Sequence, residues 1–449
     1  MIQKNLLMNE KTLFGHPRSL FLLFFAEMWE RFSFYGMRAL LVLYLIDKTQ
    51  GGQGWNRADA SSLYGNYLSA IYLTSIAGGY LADRYLGYRK AVLIGGAIIV
   101  LGHLSLAFDS LTFFYLGICL LVAGTGLLKP NISSMVGQLY PDGSKLKDSA
   151  YTIFYMGINV GGFFGPIVCG ELAKVYGWHY GFGIAAFGMM LGLLVFYLKQ
   201  DMLGTIGLQP SQSDTFKIDK NAAKIPLTAI ERDRLMVIGI LSFFSIVFWM
   251  SFEQAGASIN IFAQDYTDKH IFGYEVSAAS IQSVNSFWII VLAIPMSWIW
   301  VKLDAVKRNP SSPYKFAWGL FFLGTAFVLM AVATQDIPQG AMTASKSLWL
   351  LIAFYALQTV GELCISPVGL ATVNKLSPPQ LLGFMYGIWF SATAVGNKLA
   401  GFLSSLIDDL QKAHSMSYFF GVFVVATFVM SAIAFVFGKK LTAMMHGVK

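Results

Sequence analysis

The stretch AEMWERFSFYGMR, residues 26–38, sets two glutamates and two arginines inside an otherwise apolar run. On a helix, residues three, four and seven apart share a face. Glu27, Glu30, Arg31, Phe34 and Arg38 therefore form one stripe, with Tyr35 at its edge. Each charge costs about 2.5–3.5 kcal/mol at a bilayer centre on insertion scales, so four on one stripe must face a polar interior and pair with one another. Inside a membrane such groups mark substrate paths and proton relays. The other charges within apolar runs are Lys129 in GTGLLKPN, Glu253 in FWMSFEQAGAS, Glu362 in TVGELCISP and Lys398 in AVGNKLAG. The first three lie beside Gly or Pro, where membrane helices are expected to break and turn backbone groups towards a cavity. Lys398 can snorkel to the boundary and is left out of the set. Arg31, Arg38 and Lys129 against Glu27, Glu30, Glu253 and Glu362 give a cavity with poles of both signs, which suits a zwitterion.

The elements that must position these residues are membrane helices. Hydrophobic residues make up 56% of the 449, charged residues 12%, and the mean hydropathy is +0.59, which places the chain among integral membrane proteins. A crossing takes about 20 apolar residues. Twelve such segments are predicted, at 18–46, 62–83, 90–108, 112–138, 149–172, 180–198, 235–265, 278–302, 316–335, 347–374, 381–407 and 417–437. With the N-terminus inside, most of the 32 Lys and Arg fall on the cytoplasmic side, so both termini are expected there. The net charge of +8 reflects this bias and calls for no nucleic-acid partner. Residues 1–17 are polar, and the run after them is too long and too charged for a cleaved signal, so the first segment is expected to stay. Cys119, Cys169 and Cys364 lie in predicted helices without metal-ligand spacing and read as small packing residues. The six histidines, among them His16 and His103, fall at predicted helix ends or in loops and read as surface residues.

The polar stretch 199–234 divides the segments six to six. GLLKPNISSMVGQLYP places Pro130 eleven residues before Pro141, and LCISPVGLATVNKLSP places Pro367 eleven before Pro378, at matching points of the two halves. The expected domains are 1–198, a six-helix bundle, the linker 199–234, and 235–449, a second six-helix bundle. Duplicated, Pro-interrupted halves point to a secondary transporter whose site lies near the midplane. Between the second and third segments GGYLADRYLGYRK packs Gly79, Asp83, Arg84, Gly87, Arg89 and Lys90 into a tight turn. This resembles the loop signature of the major facilitator superfamily, and its Asp83 and Arg84 read as gate charges that pair and release as the halves rock.

At the charged stripe the resemblance becomes specific. The E-x-x-E-R-F of Glu27, Glu30, Arg31 and Phe32, the Lys129-Pro130-Asn131 run, FYMGINVGGFFGP, the FEQ at Glu253 and Glu362 follow one another as in the proton-dependent oligopeptide transporter family, and the similarity runs from about residue 18 to 437. The resemblance implies an all-α major facilitator fold. It also implies a proton-coupled symporter of di- and tripeptides working by alternating access, in the bacterial inner membrane, without a cofactor and as a monomer. Arg31 and Lys129 would receive the peptide carboxylate. Glu362, with Asn159 and Asn285, would receive the amino group. Tyr35, Tyr72 and Trp389 would line side-chain pockets, and Arg38 with Glu253 would form a gate. Proton coupling falls to Glu27, Glu30, Arg31 and Lys129. Bacterial members with two extra helices carry them where residues 199–234 hold no apolar run, and the histidine of animal members has no counterpart in 61–83. The alternatives are a nitrate or other small-solute transporter on the same scaffold and a transporter-derived nutrient sensor. No Ser/His/Asp, HExxH or paired-Cys pattern suggests an enzyme.

Overall fold

The computed structural model describes residues 12–141, 144, 146–208 and 226–448. Among them are twelve helices of 19 residues or more, one on each predicted segment. They are α1 (Arg18–Ile46), α2 (Arg57–Leu81), α3 (Tyr88–Leu106), α4 (Leu111–Gln138), α5 (Leu146–Tyr176), α6 (Trp178–Lys199), α7 (Ala229–Phe252), α8 (Ser283–Ala305), α9 (Ser312–Ala333), α10 (Leu348–Leu376), α11 (Leu382–Ser405) and α12 (Met416–Met444). Nine spans among the described residues are long and apolar enough to cross a membrane. The three long helices outside that set are α1, with its four charges, α2, which opens on RADASSLYGNY, and α11, which holds Asn397 and Lys398. Each carries charged or polar residues that lower its hydropathy below that of a simple span. Of the expected linker, 209–225 lies outside the described residues.

The chain divides into two compact units, Met1–Gly54 with Ala70–Ser213 and Ser277–Ser286, and Trp55–Ser69 with Asp214–Val276 and Phe287–Lys449. In the first, α1 packs chiefly on α5 and α6, and α3 on α4. In the second, α9 packs on α10 and α12, and α7 on α11. Apolar burial does not drive helices together within lipid, so close packing of small residues takes over. A Cβ on Gly95 of α3 would meet the Gly124 carbonyl of α4 at 2.8 Å, and one on Gly124 would meet the Gly95 carbonyl at 2.7 Å. The second unit repeats the device between its corresponding helices. Gly319 of α9 and Gly361 of α10 oppose one another, with Cβ-to-carbonyl distances of 2.9 and 2.7 Å. The repeat read from the prolines is thus also a repeat of contacts.

One expectation needs correction. Neither Pro130 nor Pro367 breaks its helix, since α4 and α10 run through them. Proline deprives the carbonyl four residues earlier of its donor, and beside Pro130 a side chain ties α4 to α2. Asn131 Nδ2 donates to the Leu127 carbonyl at 2.6 Å and to the Gly78 carbonyl of α2 at 3.3 Å. Among the three expected points the break falls at Glu253, where α7 gives way to a 3-10 turn, Glu253–Gly256, before a short helix, Ser258–Asp265.

Candidate functional site

In the first unit the α1 stripe closes on itself. Arg31 Nε lies 3.0 Å from Glu27 Oε1 and also pairs with Glu30 Oε2. All three side chains are at most 3% exposed. The guanidinium sits 5.0 Å from the centre of the Phe34 ring. Lys129 of α4 stands over the Tyr72 ring of α2 at 4.4 Å, and its charge acts on both glutamates. Two cations thus serve two carboxylates, and burial makes each partner hard to replace. The set is nevertheless incomplete. Arg31 Nη2 and Glu30 Oε1 are buried without a hydrogen-bond partner among the described residues. A guanidinium N–H left this way can take a carboxylate oxygen from a ligand in a charge-assisted bond.

Tyr35, Asn159 and Asn285, also expected at the site, belong to this unit. Tyr35 stacks edge-on to Phe34 at 5.2 Å and lies beneath the Arg38 guanidinium at 5.7 Å. Asn159 of α5 is buried, and its Nδ2 donates back to the Tyr155 carbonyl at 2.8 Å. Asn285 belongs to the Ser277–Ser286 segment, which groups with this unit. α1 approaches α5 this closely because Gly161 has no side chain; a Cβ there would meet Phe32 N at 2.8 Å and Arg31 Cβ at 3.0 Å.

In the second unit Glu253 sits at the break after α7 and accepts the Tyr64 hydroxyl at 3.0 Å. The turn is held by Gln254, whose Nε2 donates to the Met250 and Ala400 carbonyls at 3.1 Å, and by Gln358 Nε2, which donates to the Phe252 carbonyl at 2.8 Å. Glu362 follows Gln358 one turn along α10 and is buried. Trp389 of α11 is buried edge-on to Phe316, with ring centres 6.0 Å apart, over Gly369. Among the described residues no group of three or more His, Cys, Asp or Glu is placed to hold a metal ion.

The sequence profile of the POT family matches residues 89–230 and 215–420. The peptide transporter YePEPT of Yersinia enterocolitica is 36% identical over 452 residues, 88% of each chain. The chain belongs to the POT family. A di-/tripeptide transporter of Lactococcus lactis subsp. cremoris is 30% identical across 99% of this chain and 100% of its own. The crystal structure of the peptide transporter POT in complex with sulfate superimposes with a TM-score of 0.88 at 32% identity, covering 99% of both chains. The fold is that of POT transporters of the major facilitator superfamily, and this POT protein is a multi-pass membrane protein.

Several residues of this POT protein were not legible as site candidates. Arg57, at the start of α2, reads in sequence as a loop charge. Its Nη1 lies 2.7 Å from Asp408 and its Nη2 2.5 Å from Asp265, above the Tyr266 ring. Partners so distant in sequence left no local signal. Asp83 and Arg84, by contrast, are the expected gate charges. They sit in a π-helical turn, Ala82–Leu86, where Asp83 accepts the Tyr88 hydroxyl and Arg84 donates to the Tyr80 hydroxyl, both at 2.7 Å. Arg89 donates to the Ile206 carbonyl at 2.7 Å and to that of Gly204, tying the chain after α6 to α3. The surface reading of the histidines fails at two positions. His103 is 1% exposed within α3, and His16 is 5% exposed with its Nδ1 2.7 Å from the Tyr140 hydroxyl. Of the cysteines, Cys169 and Cys364 are buried as packing residues, whereas Cys119 is exposed.

Proposed function

We propose that this chain is a proton-coupled symporter that imports di- and tripeptides by alternating access. The observation that carries the reading is the buried Glu27–Arg31–Glu30 cluster beside Lys129, with a guanidinium N–H and a carboxylate oxygen left without hydrogen-bond partners among the described residues. Names of relatives, a peptide transporter and a di-/tripeptide transporter, support the substrate class.

In this reading the peptide carboxylate takes Arg31 through its fork and Lys129 as a point charge. Glu362, with Asn159 and Asn285, takes the amino group. Tyr35, Tyr72 and Trp389 line side-chain pockets whose aromatic walls accept many shapes. Arg38 and Glu253 gate one side, and Asp83 and Arg84 the other. A carboxylate that loses its cationic partner in a dry site takes up a proton. A bound peptide that engages Arg31 and Lys129 therefore favours protonation of Glu27 and Glu30, and protonation favours peptide binding in return. The halves 1–198 and 235–449 reorient about this chemistry, joined by 199–234. Both termini lie in the cytoplasm, the membrane is the bacterial inner membrane, and the working unit is a monomer that needs no cofactor beyond the proton.

Uptake of labelled dialanine into proteoliposomes tests the reading. Accumulation above equilibrium under an inward proton gradient, collapsing with a protonophore, is the expected result. No uptake by folded, correctly inserted protein would overturn the substrate class, and nitrate and other small anions would follow.

A further inference from the structure

Towards its end α8 changes the character of its surface. Phe287, Val291, Ile294 and Trp298 recur at helical spacing on one stripe, and all four are exposed, Ile294 to 77%. Lys302, Lys307 and Arg308 then follow, with Lys315 near the start of α9. Asp304 is the one acidic residue between 299 and 315. Among the described residues none of the four cations forms an ion pair with a carboxylate. Two are held by rings instead. Lys302 Nζ lies 3.9 Å from the centre of the Trp298 ring, and Lys315 Nζ 4.8 Å from that of Trp300. The face of an aromatic ring attracts a cation through its quadrupole without neutralising it. The charge is fixed in place and stays open to an anion.

The backbone at this end shows the same emphasis. The Arg308 N–H donates to the Leu303 carbonyl at 2.8 Å and the Lys307 N–H to that of Asp304 at 2.9 Å, while Lys307 itself takes a φ of 56°. Glycine is the usual residue at such a helix end, because a side chain is strained there. A lysine in its place costs stability, and what it adds is one more charge. All of these residues belong to the second unit, so their juxtaposition is internal to one compact body.

We propose that the end of α8 and the start of α9 form a binding site for an anionic phospholipid: Lys302, Lys307, Arg308 and Lys315 take the phosphodiester headgroup, and the stripe from Phe287 to Trp298 takes the acyl chains. From Phe287 to Trp298 the helix rises about 16 Å, close to half of the roughly 30 Å hydrocarbon core. The stripe therefore matches one leaflet in length, and the cations stand where its headgroups lie. Basic clusters between membrane helices recognise acidic headgroups by this arrangement. The transport reading enters only through its orientation, which makes the leaflet the cytoplasmic one.

The test reads lipid at the stripe directly. In protein with Cys119, Cys169 and Cys364 replaced, Val301→Cys, at a position 65% exposed, carries a bimane in phosphatidylcholine bilayers. Tail-brominated phosphatidylglycerol is expected to quench it at a lower mole fraction than tail-brominated phosphatidylcholine. Lys302→Ala and Lys307→Gly should each cut that preference about fivefold, the change that about 1 kcal/mol per cation gives. Lys307→Gly also relieves the backbone, so its unfolding temperature should not fall, which separates lost charge from lost fold. Lys199→Ala, at the end of α6 in the first unit, should leave the preference unchanged. Equal quenching by the two lipids overturns the site. So does an equal loss in Lys199→Ala, which would mark general surface charge. Loss of the preference on adding inorganic phosphate, with ionic strength matched by chloride, would put a free anion in place of the lipid and overturn the proposal too. Dialanine uptake does not enter the test, so the lipid site and the transport reading stand or fall separately.

Discussion

Glu30 is the residue on which the proposed coupling turns. It is 1% exposed, paired with Arg31 and under the field of Lys129. Glu30→Gln keeps the shape and removes the proton. It should abolish gradient-driven accumulation of dialanine while leaving counterflow exchange, in which no net proton movement is required, partly intact. Proton-driven accumulation surviving in that variant would remove Glu30 from the coupling role. The stripe was legible because four charges at helical spacing in an apolar run have one affordable arrangement, facing inwards and paired. Arg57 was not legible, because a lone arginine beside a loop looks the same whether or not Asp265 and Asp408 come to meet it.

Elements are held by contacts that tolerate little bulk. Gly95 against Gly124 and Gly319 against Gly361 bring backbone to backbone, and a branched side chain there would overlap carbonyl oxygens that cannot move aside. Gly95→Val and Gly319→Val should each cost about 1–3 kcal/mol, seen as a lower unfolding temperature in detergent. Loss in one alone would mean that the two contacts are not equivalent. The turn after α1 supplies a pH dependence. Desolvation pushes the Asp47 carboxyl up, but hydrogen bonds from Thr49 (N at 3.0 Å, Oγ1 at 2.9 Å), Trp178 (2.8 Å) and Gln50 (2.9 Å) outweigh it and hold the carboxyl below its usual range. A lowered folded value contributes stability above the unfolded value, about 3.9 for aspartate, that is lost as pH falls through the folded one. The unfolding temperature should therefore drop below about pH 4, and Asp47→Asn should flatten that drop. Identical profiles for the two proteins would exclude Asp47 as its source.

For the whole molecule the proposed work is set by the gradient. A proton moving inwards releases about 2.3 kcal/mol per 100 mV and about 1.4 kcal/mol per pH unit. Two to three kcal/mol per proton concentrates substrate roughly 30- to 150-fold, and accumulation of dialanine in that range, lost on adding a protonophore, is the expected outcome.

Twelve helices, their membrane character and the charged stripe follow from composition and periodicity alone, because lipid allows few places for a charge and water allows few for an apolar run of twenty. Family membership was legible in the same residues, since E-x-x-E-R-F and the later motifs stand in order along the chain. Tertiary structure decided what local spacing cannot carry. Pro130 and Pro367 stay within continuous helices, whereas the break falls at Glu253. His103 is buried although it stands near a helix end in the chain. Glu171 acquires its partners because Ser277 and Ser280 are brought to it from more than a hundred residues away. Each of these depends on which surfaces of the folded chain meet, and periodicity along one helix contains no record of that.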